Sequence, residues 1–278
     1  MGIPFEKYHG LGNDYVVIDK KSCDLSAAQI VRICDVHFGI GCDGILLADM
    51  ENGKFSVRIF NPDASEAEKS GNGLRIFSRY LFDKNLVKLG ERFSIFTLGG
   101  EVKSTIIDKN LIEVQMGKVS FDSEEIGVCG DRREVINEKI CVLDKEFSFC
   151  AASVSNPHCV IILDEISPEI AKKYGRTIET DKRFIKRTNV QFMKIIDRNN
   201  VQIEIWERGA GYTLASGSSS TAAAAVAKKL GLCGNEICVN MAGGKLSISF
   251  DESFNATMLG AVQKIGGGEI SYECFEQK

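Results

Sequence analysis

The chain is predicted to be an α+β protein of two pseudo-symmetric domains, each a curved, mostly antiparallel sheet around one central helix. Three observations carry this. A set of landmarks recurs in the same order in both halves, most apolar segments are short and β-rich, and only four segments have helical spacing.

The landmarks come first. Asn61 stands nine residues before Ser70, and Glu207 stands nine before Ser216. Each serine precedes a helix-like run, RIFSRYL in one half and TAAAAVAKKL in the other. Each run leads to Gly-Gly ahead of a strand-like segment, LGGEVKSTII from Leu98 and AGGKLSISF from Ala242. Both units then close on an apolar-Gly step, Met116-Gly117 and Leu259-Gly260. Upstream, NDYVVID from Asn13 resembles NPHCVIILD from Asn156, and equivalent positions lie about 140 residues apart. This puts domain boundaries at 1–118 and 119–262, with the terminal segment 263–278 packing back onto the first domain.

The segments YVVIDK, KFSVRIF, LIEVQMG, FCAASV and VQIEIWE alternate or run apolar between Gly, Asn and Asp, as strands do. AAQIVRICD, GLRIFSRYLFD, PEIAKKYGR and SSTAAAAVAKKLG are the predicted helices. The last is rich in alanine and apolar enough to be a buried central helix.

Bulk properties narrow the function. A chain of 278 residues, 44% hydrophobic and 26% charged, has ample material for a soluble core. A net charge of −4 provides no electrostatic footprint for nucleic acid. No window approaches the roughly 18 apolar residues of a membrane span. The start, MGIPFEKYHG, lacks the apolar core of a secretory signal, and Glu6 stands where a myristoylation motif needs Ser or Thr. The ten cysteines include no Cys-x-x-Cys pair, so they are expected to be reduced, mostly buried thiols of a cytoplasmic protein. Three histidines without clustered partners make a metal unexpected.

The chemistry concentrates at the two serine junctions. A helix N-terminus presents backbone N–H groups and partial positive charge, and neighbouring glycines let a ligand approach the backbone. SGNG and SGSSS are therefore candidate anion sites, suited to a carboxylate and facing each other if the halves are pseudo-symmetric. Locally, Ser70 and Ser216 are equally well explained as plain N-caps. Asn13, Asn61, Asn156 and Asn189 each border an apolar strand-like run, and Glu207-Arg208 follows another. Singly they are turn formers; together they suggest a pocket for a zwitterion. His158 beside Asn156-Pro157 reads locally as a satisfied core histidine.

The motifs KYHGLGNDYVVID, NPDASEAEKSGNGLR, SNPHCVI, RTNV and WERGAGYTLASGSSS, in order over about residues 5 to 262, resemble the diaminopimelate epimerase family. The resemblance implies a two-domain α+β enzyme without pyridoxal phosphate or metal, and a possible homodimer. It implies interconversion of LL- and meso-diaminopimelate, in lysine and peptidoglycan-precursor biosynthesis. In that family two cysteines face each other across the substrate α-carbon; one removes the α-proton as thiolate and the other returns a proton to the opposite face. The helix N-termini hold the α-carboxylate and stabilise the carbanionic transition state. Transferred by motif, Asn13, Asn61, Asn156, Asn189 and Arg208 would hold the substrate. Gly71, Asn72, Gly217 and Ser218 would form the backbone cradle, and His158 and Glu207 would assist the two thiols.

The two cysteine positions fall on Ser70 and Ser216. A thiol has a pKa of about 8.5 and an alcohol lies near water, about 15.7, so turnover is expected to be reduced or absent. The first junction otherwise keeps the family pattern. The second departs further, with Tyr212 where the family has Glu, Ser218-Ser219-Ser220 in place of a glycine-richer loop, and Thr221 near a common cysteine position. That drift fits a natural divergent member, with deliberate replacement of both thiols as the alternative. Three readings stay open: an epimerase pocket with disabled proton transfer, a natural enzyme in which Glu207 or His158 performs proton transfer in a different isomerisation or elimination, and a silent amino-acid-binding protein; a racemase or isomerase of another amino acid is the rival to diaminopimelate as substrate.

Overall fold

The structure, a computed structural model, describes residues 2–50 and 53–276. The chain divides into two units, residues 1–114 with 260–278 and residues 115–259. The first unit runs β1 (Ile3–Gly10), β2 (Asn13–Asp19), α1 (Ala27–Cys34), β3 (Ile45–Asp49), β4 (Phe55–Phe60), β5 (Glu66–Ala67), α2 (Gly71–Asp83), β6 (Arg92–Thr97), β7 (Gly100–Asp108) and β8 (Leu111–Lys118), whose last residues cross the division. The second runs α3 (Ser123–Ile126), β9 (Glu138–Val142), β10 (Lys145–Ser153), β11 (Pro157–Ile162), α4 (Pro168–Glu179), β12 (Asn189–Asp197), β13 (Asn200–Glu207), β14 (Gly211–Thr213), α5 (Gly217–Lys229), β15 (Glu236–Met241), β16 (Gly244–Phe250) and β17 (Asn255–Ala261). Finally β18 (Gln263–Ile270) pairs antiparallel with β1, from Ile3 opposite Ile270 to His9 opposite Gln263.

The sequence repeat is a repeat of strand pairing. In the first unit β1–β2 is antiparallel, β2–β3 parallel, β3–β4 and β4–β5 antiparallel, β4–β6 parallel and β6–β7 antiparallel. The second unit has the same series in β10–β11, β11–β12, β12–β13, β13–β14, β13–β15 and β15–β16. So α1 corresponds to α4, and α2 to α5. The parallel pairs arise where a helix lies between the partners and gives the chain length to cross back.

In each unit a helix covers either face of the sheet. Val16 and Ile18 of β2 and Ile45 and Leu47 of β3 share a buried cluster with Ile30 and Ile33 of α1. Leu46, on the opposite face by strand alternation, meets α2 at Gly73, where an added Cβ would sit 3.1 Å from its Cδ2. This double coverage is why the run YVVI lacks polar alternation. In the second unit Cys159, Ile161, Val190 and Phe192 pack with Ala171, Tyr174 and Ile178 of α4. The other face receives α5, which packs on β10 to β13, β15 and β16. Ala222 to Ala225 of that helix have no exposed surface.

The four predicted helices each start on a serine N-cap: Ser26, Ser70, Ser167 and Ser216. Ser26 and Gln29 form a capping box, Pro168 opens α4, and Lys228-Lys229 complement the dipole at the end of α5. All ten cysteines are free, five of them buried. No described helix is long and apolar enough to cross a membrane.

Candidate active site

In the first unit Ser70 caps α2 from extended backbone (φ −137°, ψ 120°). Its Oγ accepts the Gly73 N–H at 3.0 Å and lies 3.2 Å from the Tyr15 hydroxyl. Gly71 and Asn72 form the buried first turn behind it. A chain of amides leads away from the cap. Arg75 Nη2 donates to Asn72 Oδ1 at 2.8 Å, Asn72 Nδ2 to Asn13 Oδ1 at 2.9 Å, and Asn13 Nδ2 to Asp43 Oδ2 at 2.9 Å. Burial and the neighbouring Asp14 raise the Asp43 carboxyl above its usual range. Arg75 is fully buried, which lowers its guanidinium to about 10. Gly10 makes room for it, since a Cβ there would lie 3.0 Å from Nη2. Asn61 is exposed at the end of β4, and its amide donates to Ser65 Oγ at 2.9 Å. That bond closes the Asn-Pro-Asp-Ala-Ser turn and lies outside the Asn13–Asn72 chain.

In the second unit Ser216 caps α5 from the same backbone region (φ −147°, ψ 127°) and accepts the Ser219 N–H at 3.4 Å. Ser216 and Gly217 are buried, and Ser218 is half-buried. The hydroxyls of Ser220 and Thr221 donate back to the carbonyls of Ser216 and Gly217, both at 2.8 Å. These helix-internal bonds let Ser220 and Thr221 sit buried at the start of the helix without unsatisfied hydroxyl groups.

His158 and Asn189 lie opposite each other on the parallel pair β11–β12. Asn189 Nδ2 donates to the Pro157 carbonyl at 2.9 Å, and its Oδ1 accepts the Arg208 N–H at 3.0 Å. His158 Nε2 lies 2.8 Å from Asn156 Oδ1. Burial pushes the His158 pKa down to about 3, with Arg208 adding to the shift. The unfolded chain binds this proton near 6.5, so between pH 6.5 and 3 it holds more protons than the folded chain. Stability therefore falls as pH falls through that window, by about 1.4 kcal/mol per pH unit from this group. Urea midpoints measured from pH 7 to 4 are expected to fall more steeply for the unaltered chain than for His158→Gln; equal slopes would refute the assignment.

Glu207 ends β13 opposite Gly211, and Arg208 follows it, donating from Nη1 to the Lys186 carbonyl at 3.0 Å. The sequence left open how Tyr212 shapes a pocket. Tyr212 pairs with Trp206, packs against the α4 core and donates to Glu204 at 2.7 Å. By strand alternation it lies on the face opposite Glu207.

Glu179, at the end of α4, was not singled out in the sequence. It has no exposed surface, yet it gathers Trp206 Nε1 at 2.8 Å, Gly209 N–H at 2.9 Å, Arg176 at 3.5 Å and Arg187. Its carboxylate thus fixes both flanks of Glu207-Arg208. The available signal was a carboxylate in the last turn of a helix, where the dipole disfavours it. Arg75 and Gln191, the latter donating to Ser219 Oγ at 3.0 Å, were also missed. Among the described residues no group of three or more His, Cys, Asp or Glu side chains is arranged for a metal ion.

The sequence-family model described as diaminopimelate epimerase matches residues 5–121 and 150–265. The chain belongs to the diaminopimelate epimerase family. Diaminopimelate epimerase 2 of Nostoc sp. is 56% identical over 276 residues, covering 98% of this chain and 96% of its own. Diaminopimelate epimerase of Carboxydothermus hydrogenoformans is 38% identical over 272 residues, covering 95% and 98%. A hydroxyproline epimerase from Agrobacterium vitis shares the fold at a TM-score of 0.71 and 13% identity, over 99% of this chain and 92% of that one. A PhzF-family phenazine biosynthesis protein from Enterococcus faecalis does so at 0.70 and 13% identity, over 98% and 100%. Within the diaminopimelate epimerase family this chain has its serine N-caps at the start of both central helices.

Proposed function

We propose that the chain is a diaminopimelate-binding epimerase homologue whose two acid–base thiols are replaced by the hydroxyls of Ser70 and Ser216. It holds LL- or meso-diaminopimelate and inverts the α-carbon slowly or not at all. On this reading the first turns of α2 and α5 receive the α-carboxylate. Asn13, Asn61, Asn156, Asn189 and Arg208 hold the remaining polar groups, and Glu207 and His158 complete the pocket.

One observation carries the reading. Ser70 and Ser216 occupy the same place in two units of one topology, each at the N-terminus of a buried helix of 13 residues. Full-length relatives named diaminopimelate epimerase add to it. The limit on turnover follows from acidity. About 7 pKa units separate a serine hydroxyl from a thiol, or roughly 10 kcal/mol against forming the base at neutral pH. A helix N-terminus offsets about 0.3–2 kcal/mol of this. The bond from Gly73 N–H to Ser70 Oγ also exists for the neutral hydroxyl, so only its strengthening on ionisation counts.

Isothermal calorimetry tests the binding claim. Meso-diaminopimelate is expected to bind at least about tenfold more tightly than L-lysine, which lacks the distal carboxylate and its charge-assisted hydrogen bonds. Equal affinity for both, or heat from neither, contradicts it.

A further inference from the structure

Three buried polar atoms of the second unit have no hydrogen-bond partner among the described residues: Thr213 Oγ1, which stands apart on β14, and the pair Nδ1 of His158 and Oε1 of Gln191. Both side chains of the pair are fully buried. In the parallel register His158 is opposite Asn189 and Val160 is opposite Gln191, so His158 and Gln191 share a sheet face on neighbouring strands. Cys159, Ile161, Val190 and Phe192 alternate onto the other face, in the α4 core. The Gln191 side chain also reaches the imidazole, and as oriented its oxygen faces the ring and favours the protonated form, against the larger effect of burial.

The two atoms of the pair are unsatisfied for one reason. Nε2 of His158 faces Asn156 Oδ1 at 2.8 Å; with the Asn156 amide in this orientation, Nε2 carries the proton in the neutral ring and Nδ1 is an acceptor. Gln191 Oε1 is an acceptor too, because its amide nitrogen is turned to Ser219 Oγ, 3.0 Å away. An amide has a second orientation of the same volume. With the Gln191 amide reversed, its nitrogen donates to His158 Nδ1 and its oxygen accepts the Ser219 hydroxyl. Both faults disappear together. The result is one continuous chain: Ser219 Oγ–H to Gln191, Gln191 to His158, and His158 Nε2–H to Asn156. Ser219 N–H is itself the donor to Ser216 Oγ at 3.4 Å.

We propose that Gln191 is a positioning residue: its amide donates to His158 Nδ1, fixes the neutral Nε2–H tautomer, and so ties up the Asn156 oxygen and leaves the Asn156 N–H donors for the ligand. His158 is then a hydrogen-bond spacer between the α5 N-terminus and Asn156, and not a proton-transfer group. This rests on the functional reading above only for the role of Asn156; the tautomer stands on geometry alone.

The test is ¹⁵N NMR of the full chain labelled at histidine, with His158→Gln identifying the His158 resonances among those of His9, His37 and His158. The unaltered chain is expected to show a protonated Nε2 and a bare Nδ1. Gln191→Glu, which when ionised can only accept, is expected in that form to put a proton on Nδ1. Gln191→Met, which neither donates nor accepts strongly, is expected to give a mixture of neutral tautomers. A protonated Nδ1 in the unaltered chain overturns the proposal without any variant having to fold. So does an unchanged ring in folded Gln191→Glu with its carboxylate ionised. Calorimetry with meso-diaminopimelate on Gln191→Met is expected to show affinity reduced about tenfold; full affinity would overturn the role of Asn156. Absence of binding by the unaltered chain would count against the functional reading, and the tautomer result would still decide this one.

Discussion

The double variant Ser70→Cys/Ser216→Cys is expected to invert diaminopimelate at least about a thousandfold faster than the chain as written. The deficit of base is about 7 pKa units, and the stronger basicity of an alkoxide recovers part of it. At a Brønsted coefficient near 0.5, about half is recovered, leaving roughly a 10³- to 10⁴-fold difference. The replacement is small, and both positions keep the extended N-cap backbone that any residue tolerates. Cysteine is a weaker cap than serine, so a loss of stability of about 0.5–2 kcal/mol per helix is expected beside the gain. Inversion needs a base on one face and an acid on the other. Each single variant is therefore expected to wash out the α-hydrogen of one stereoisomer only, with inversion reserved for the double variant. Chromatographic separation of the LL and meso forms after timed incubation checks both statements. A double variant no faster than its parent would contradict the acidity argument.

The second large effect is at Glu179. Truncating it to Ala leaves the Trp206 indole N–H, the Gly209 N–H and Arg187 without their shared buried acceptor. Arg187 and Arg176 are 44% and 63% exposed and regain water, so the cost is that of the donors left without an acceptor, about 1–3 kcal/mol each, enough to lower the urea midpoint. Glu179→Gln keeps one acceptor and the side-chain volume and is expected to fall between. The effect on ligand exceeds the effect on fold, because the flanks of Glu207-Arg208 lose their anchor. Glu179→Gln is expected to weaken meso-diaminopimelate binding about tenfold under conditions where its circular dichroism matches the unaltered chain. Retention of full affinity and full stability would show that the Glu207-Arg208 turn is held by other groups.

What the sequence revealed depended on whether the signal was local. The helices starting at Ser26, Ser70, Ser167 and Ser216 were legible because a cap and an apolar run lie within a few residues. The repeat was legible because turn residues hold their spacing. The helix α3 was not, being a single turn around Asp122 and Gly127. Nor were the parallel pairs β2–β3 and β4–β6, which depend on where the crossover helix returns the chain. Ser70, Asn72 and Asn13 come together in one unit, and Asn156, His158, Asn189 and Arg208 in the other. Arg75, Glu179 and Gln191 were invisible because each looks like an ordinary surface residue in its own segment. Only tertiary packing buries them and makes them hubs. Asn61 stands apart from these clusters, its amide donating to Ser65 within the local turn.

The central claim is a diaminopimelate epimerase pocket without its two bases. It is tested most directly by following the α-proton NMR signals of LL- and meso-diaminopimelate in D₂O, with the chain as written beside the double-cysteine variant. The account predicts a persistent signal with the chain as written and rapid loss with the variant. Rapid exchange by the chain as written, or none by a folded variant, would contradict it.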